Sequence, residues 1–115
     1  MNSLVKSFGF ALNGFLAALK EQRNLRIHLF ISALVLAVAY LLEINFLEFS
    51  ILLLCMGLVI SLELVNSSIE ELVDLISPEK KALAGKIKDI SAAAVLVAAV
   101  TASMVGIIIF GSHLL

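Results

Sequence analysis

The chain has 115 residues, of which 62 % are hydrophobic and 15 % charged, with a formal net charge of −1 and a mean hydropathy of +1.13. That composition excludes an ordinary soluble domain and indicates an integral membrane protein, with no nucleic-acid partner expected. The single cysteine, Cys55, sits in an apolar run without a partner, which rules out an intrachain disulfide or a Cys-based metal site and leaves it a packing role.

The chain reads as one domain over residues 1–115. Its N-terminal run is interrupted by Asn13 and Lys20 and lacks a small-residue cleavage site, so it reads as mature chain rather than a signal peptide. Over 4–20, Leu4, Phe8, Leu12, Phe15 and Leu19 recur at helical spacing opposite Lys6, Asn13 and Lys20. This predicts an amphipathic helix lying in the membrane interface. Gly9 and Gly14 weaken it by about 1 kcal/mol each, or admit a ligand or another backbone.

A polar cluster at 20–28 should sit at headgroup level, where Arg23 and Arg26 flank the first span and are also suited to bidentate phosphate contact. Spans are predicted at about 27–42, 46–66 and 90–110. The acidic stretch 43–48 is read as a turn, and the second helix must run past Glu63 to cross a core of about 30 Å. Ser77 and Pro78 are read as the cap and first turn of a short amphipathic segment ending near Gly85. In the third span Ala94, Ala98, Ala102 and Gly106 form a small-residue stripe for helix packing.

All eight basic residues lie before the first span or between the second and third. The positive-inside rule therefore puts the N-terminus and the 64–89 segment in the cytoplasm. At that face Glu63, Asn66, Ser67, Glu70 and Asp74 share one side of the second helix, opposite Leu64, Val65, Ile69, Leu72, Val73 and Ile76. A carboxylate at the hydrocarbon boundary is costly unless it faces a bundle interior, ligand or water, which makes Glu63 a functional candidate. Glu70 lies two turns away, about 10 Å along the axis, too far to share one metal ion with Glu63 directly.

Carboxylates, an amide and lysines at a cytoplasmic interface suit a magnesium nucleotide, with the acceptor arriving from the lipid side. No Gly-rich phosphate loop is present. The alternatives are a small channel or transporter, or an inactive membrane assembly subunit. A channel predicts polar residues along a whole crossing, whereas here they cluster at one end.

The pattern Glu63-Leu-Val-Asn66-Ser-Ser-Ile-Glu70-Glu-Leu-Val-Asp74, followed by Lys88-Asp89-Ile-Ser-Ala-Ala-Ala-Val95, resembles the signature of the bacterial diacylglycerol kinase and undecaprenol kinase family. Gly9-Phe-Ala-Leu-Asn-Gly14 is similar to its N-terminal glycine-aromatic element, and Asn24-Leu-Arg-Ile-His28 to a run of its undecaprenol kinase branch. The resemblance implies an all-α membrane protein: a homotrimer of three-span protomers, each with an interfacial N-terminal helix, sharing composite active sites in the bacterial cytoplasmic membrane. It implies MgATP-dependent phosphorylation of a lipid hydroxyl, with Glu63 as general base, Glu70 binding the metal and Asn66 holding the site. Lys88 and Asp89 would contact the nucleotide, with Phe10, Glu79, Lys80 and Lys81 nearby. Asn24 and Arg26 join Glu63 and Asn66 as candidate substrate-binding residues. Three positions depart from the family pattern: Gln22 stands where a second metal-binding Glu is expected, beside Glu21; Ser3 replaces an Arg; and Phe10 replaces a frequent Tyr. The acceptor is diacylglycerol or undecaprenol, and the Asn24 to His28 run favours undecaprenol.

Overall fold

A computed structural model describes residues 2–115. They form four helices and, among the described residues, no strand: α1 (Asn2–Glu21), α2 (Arg23–Leu41), α3 (Phe46–Ile76) and α4 (Ala82–Leu114). α2, α3 and α4 are each long and apolar enough to cross a membrane. At 1.5 Å per residue, α3 and α4 are roughly 46 and 50 Å long, so each outruns a core of about 30 Å by several turns. That surplus carries the charged half of α3 out of the apolar layer while keeping it helical.

α3 is the central element, with α2 on one flank and α4 on the other, and the molecule is a slab of 52 × 42 × 20 Å. Near the α2–α3 turn, Ala39, Ile44, Leu52 and Ile109 form one buried cluster, against which Val35, Phe49 and Phe110 pack. Further along, Val59 meets Ala98 and Ala102, with Cys55 and Leu62 beside them. The alanine stripe thus packs α4 on α3 at its middle positions, while Ala94 remains exposed. Small residues allow that approach in lipid, where close packing drives helix association.

Several boundaries differ from those predicted. α2 starts at Arg23, not near 27, and Gln22 alone separates it from α1, with an extended backbone (φ −106°, ψ 108°). No proline or glycine marks this break. Arg26 stabilises it, because its Nη1 donates to the carbonyls of Leu19 at 2.8 Å and Lys20 at 3.0 Å, which the end of α1 leaves without helical partners.

The reversal after α2 occupies 42–45 rather than 43–48. Glu43 takes φ 56°, the left-handed conformation common just past a helix end. Glu48 lies inside α3: its N–H donates to Asn45 Oδ1 at 2.9 Å, and Asn45 Nδ2 donates to its Oε1 at 3.0 Å. This pairing caps α3.

Ser77 is not the cap of a new helix; its N–H donates to Val73 as the C-cap of α3. Residues 77–81 are non-helical and the next helix begins at Ala82, beyond Pro78. The predicted segment ending near Gly85 and the 90–110 span are one helix. A glycine costs about 1 kcal/mol in a helix, too little to break one this long.

α1 has no buried residue, and Leu4, Phe8, Phe10, Leu12 and Leu16 are exposed. A Cβ added at Gly9 or Gly14 would meet nothing within 4 Å, so no close approach within the chain requires these glycines.

Candidate functional site

From Val59 onward along α3, Val59, Glu63, Asn66, Ser67 and Val73 are buried, whereas Val65, Leu72, Leu75 and Ile76 are exposed. Glu63, Asn66 and Ser67 of the polar stripe therefore face the protein, and Val65, Leu72 and Ile76 of the apolar stripe face outward, as lipid surroundings favour; past Glu70 the expected division fails, since Val73 is buried and Asp74 is exposed. Glu63 is 2 % exposed, and its backbone carbonyl accepts a 3.0 Å hydrogen bond from Ser67 Oγ.

A cleft of about 260 Å³ opens where three helices meet, lined by Asn24 and His28 of α2, Glu63 and Asn66 of α3, and Ala92, Val95, Leu96 and Ala99 of α4. His28 Nε2 lies 3.5 Å from Glu63 Oε2. Asn66 Nδ2 donates to Glu70 Oε2 at 3.4 Å, which links the half-buried Glu70 to the cleft through the amide. Asn66 Oδ1 is buried with no partner. Such an acceptor is rare in a folded protein and marks a position where a donor from a bound molecule fits.

Towards the α2–α3 turn an apolar groove of about 390 Å³ continues between α2 and α4, floored by Met56 and Val59, and it shares His28 and Ala99 with the polar cleft. A molecule with a polar head and an apolar tail can span the two. On the other side of α3, a cleft of about 440 Å³ is lined by Gly14, Phe15, Glu21 and Gln22 of the N-terminal segment and by Ser67, Ser68 and Glu71 of α3.

The chain thus brings Asn24, Glu63 and Asn66 into one cleft, with Glu70 attached through Asn66. Glu21 and Gln22 share the second cleft, which Glu70 does not line. Lys88 Nζ is paired with Asp74 Oδ1 at 2.5 Å, tying α4 to the end of α3. Arg26 is engaged at the end of α1. Phe10, Glu79, Lys80, Lys81 and Asp89 are exposed and line no part of the Glu63 cleft.

Among the described residues no three of His, Cys, Asp and Glu converge as a metal cage. A magnesium ion carried by nucleotide phosphates needs only one or two protein carboxylates, and Glu70 supplies one. His28 is the site residue to which the sequence assigned no role. The available signal was the four-residue spacing of Asn24, His28 and Ser32, which puts them on one face of α2.

The profile described as prokaryotic diacylglycerol kinase matches residues 9–110. An undecaprenol kinase of Bacillus subtilis is 37 % identical over 110 residues, covering 96 % of this chain and 89 % of the relative. A diacylglycerol kinase of Synechocystis is 40 % identical over 105 residues, covering 90 % of this chain and 60 % of that longer relative. A diacylglycerol kinase of Escherichia coli K12 is 31 % identical over 110 residues, covering 96 % of this chain and 90 % of the relative.

Proposed function

The chain belongs to the prokaryotic diacylglycerol kinase family and is a multi-pass membrane lipid kinase, and from this premise we propose how its residues divide the reaction. Glu63 is the general base: it takes the proton of a lipid hydroxyl as that oxygen attacks the γ-phosphorus of ATP. The bond from the γ-phosphorus to the bridging oxygen breaks, and ADP leaves. The observation that carries this reading is the Glu63 carboxylate, 2 % exposed, lining a cleft continuous with an apolar groove. The groove suits the lipid body, and the cleft suits its hydroxyl.

Asn66 holds the reacting groups through its free Oδ1, and Glu70, with Glu21 or Gln22, binds Mg2+ delivered with the nucleotide. When bound there, Mg2+ would supply positive charge against the phosphates. Lys88 and Asp89 bind the nucleotide, with Phe10, Glu79, Lys80 and Lys81 close to it, while Asn24 and Arg26 assist on the acceptor side. The working form is a homotrimer in which neighbouring protomers complete each site. This is supported by the exposure of Phe10, 79–81 and Asp89 away from the Glu63 cleft.

α1 lies in the membrane interface, in keeping with its lack of buried residues. The basic residues put the N-terminus and the site on the cytoplasmic side of the bacterial inner membrane. The acceptor is undecaprenol or diacylglycerol, with the Asn24 to His28 run and the name of the Bacillus relative favouring undecaprenol. The channel and assembly-subunit alternatives find no support in the comparisons.

The test is Glu63→Gln, which keeps shape and removes the base. With MgATP and each lipid in mixed micelles, lipid-phosphate formation should fall by about two to four orders of magnitude. Near-normal turnover would remove Glu63 from this role.

A further inference from the structure

The general-base reading leaves open what aims the Glu63 carboxylate. A buried carboxylate loses its water shell and is held by what it meets inside the protein. Among the described residues, His28 is the only basic side chain within 4 Å of it, with Nε2 at 3.5 Å from Oε2; the other two such pairs join Lys88 to Asp74 and His113 to Glu48. The approach is longer than a formed hydrogen bond, but contacts of this kind commonly tighten when substrate enters. The imidazole is partly exposed, at 24 % for its side chain against 3 % for Glu63. It also lines both the polar cleft and the apolar groove. His28 therefore stands beside the carboxylate on the path that a lipid head would take.

We propose that His28 is a positioning residue for the Glu63 carboxylate, its Nε2–H engaging Oε2 so that the other oxygen faces the incoming lipid hydroxyl. This rests on the assignment of Glu63 as base. The imidazole does not touch the nucleotide in this role, and the proton from the lipid goes to Glu63, not to His28. Its neighbours suit the task. Leu25 on the same side of α2 is fully buried and Ser32 nearly so, which fixes the rotation of α2 against α3 and hence the direction of the ring.

The test pairs kinetics with a spectroscopic readout in the purified full-length protein. Removing the aim should lower kcat for lipid phosphorylation by about 10- to 100-fold. His28→Leu should show that loss with KM for MgATP unchanged, and His28→Gln, whose amide N–H can reach the place of Nε2–H, should recover most of it. The chain has two histidines, so selective 15N labelling reports two rings, the second assigned by a His113→Gln variant. Glu63→Gln should shift the His28 ring nitrogens and leave those of His113 in place. Unmoved His28 nitrogens would overturn the contact. His28→Leu at wild-type kcat beside an inactive Glu63→Gln would overturn the positioning role alone. A Glu63→Gln protein that turns over normally would overturn the base assignment and the positioning role together.

Discussion

Replacing Asn66 by Leu, which keeps the branched heavy-atom skeleton but removes the polar atoms, separates a residue kept for function from one kept for folding. Asn66 is 9 % exposed and its Oδ1 has no partner within the protein; a buried unsatisfied acceptor costs about 1–3 kcal/mol. The opposing term is the Nδ2 bond to Glu70 Oε2, which at 3.4 Å is beyond the usual range and worth little. Leu removes both and adds apolar contact with Val95 and Leu96 of the same cleft. The expected balance is a gain of roughly 0–2 kcal/mol in stability. Turnover should move the other way. Losing one hydrogen bond to a bound reactant costs about 10- to 100-fold, the trade expected where a strained polar group serves catalysis. Thermal unfolding in detergent micelles, followed by circular dichroism, reads the first quantity, and lipid-phosphate formation reads the second. A large drop in the unfolding midpoint, or full activity in the Leu variant, would refute the reading of Asn66 Oδ1 as a ligand contact.

Glu70→Gln should raise the concentrations of magnesium and ATP needed for half-maximal rate while leaving the response to lipid unchanged, and added magnesium should partly restore the rate, because hard cations prefer charged oxygens. At the second metal position, magnesium titrations of Gln22→Glu and Glu21→Ala give opposite outcomes for the two candidates. If Gln22 is the ligand, Gln22→Glu lowers the magnesium requirement and Glu21→Ala matters little; if Glu21 has taken the role, Glu21→Ala cripples the enzyme. Both variants at wild-type behaviour would remove this pair from the metal site.

The parts of the molecule that obey a period were legible in the sequence. Glu63, Asn66 and Ser67 fall on one side of α3 by spacing, and the structure buries all three, although Asp74 on the same predicted side is exposed. The end of α3 was legible because Pro78 cannot continue a helix. The break at Gln22 was not, because no local breaker causes it; it depends on Arg26 reaching back to the carbonyls of Leu19 and Lys20. Gly85 misled in the opposite direction, since a glycine's local cost is overridden within a 33-residue helix. The approach of His28 to Glu63 was invisible for a further reason. It requires the rotation of α2 about α3, set by tertiary packing around Leu25 and Ala39, both fully buried, and no pattern within either helix encodes it.

The central claim, transfer of phosphoryl from ATP to a membrane lipid alcohol, is tested most directly by following the γ-phosphoryl itself. Purified protein in mixed micelles is given γ-labelled ATP, magnesium and either undecaprenol or diacylglycerol, and the organic phase is assayed for label. The account predicts magnesium-dependent label in the lipid monophosphate, formed faster from undecaprenol than from diacylglycerol and lost in Glu63→Gln. Label that stays in the aqueous phase with both lipids would contradict it.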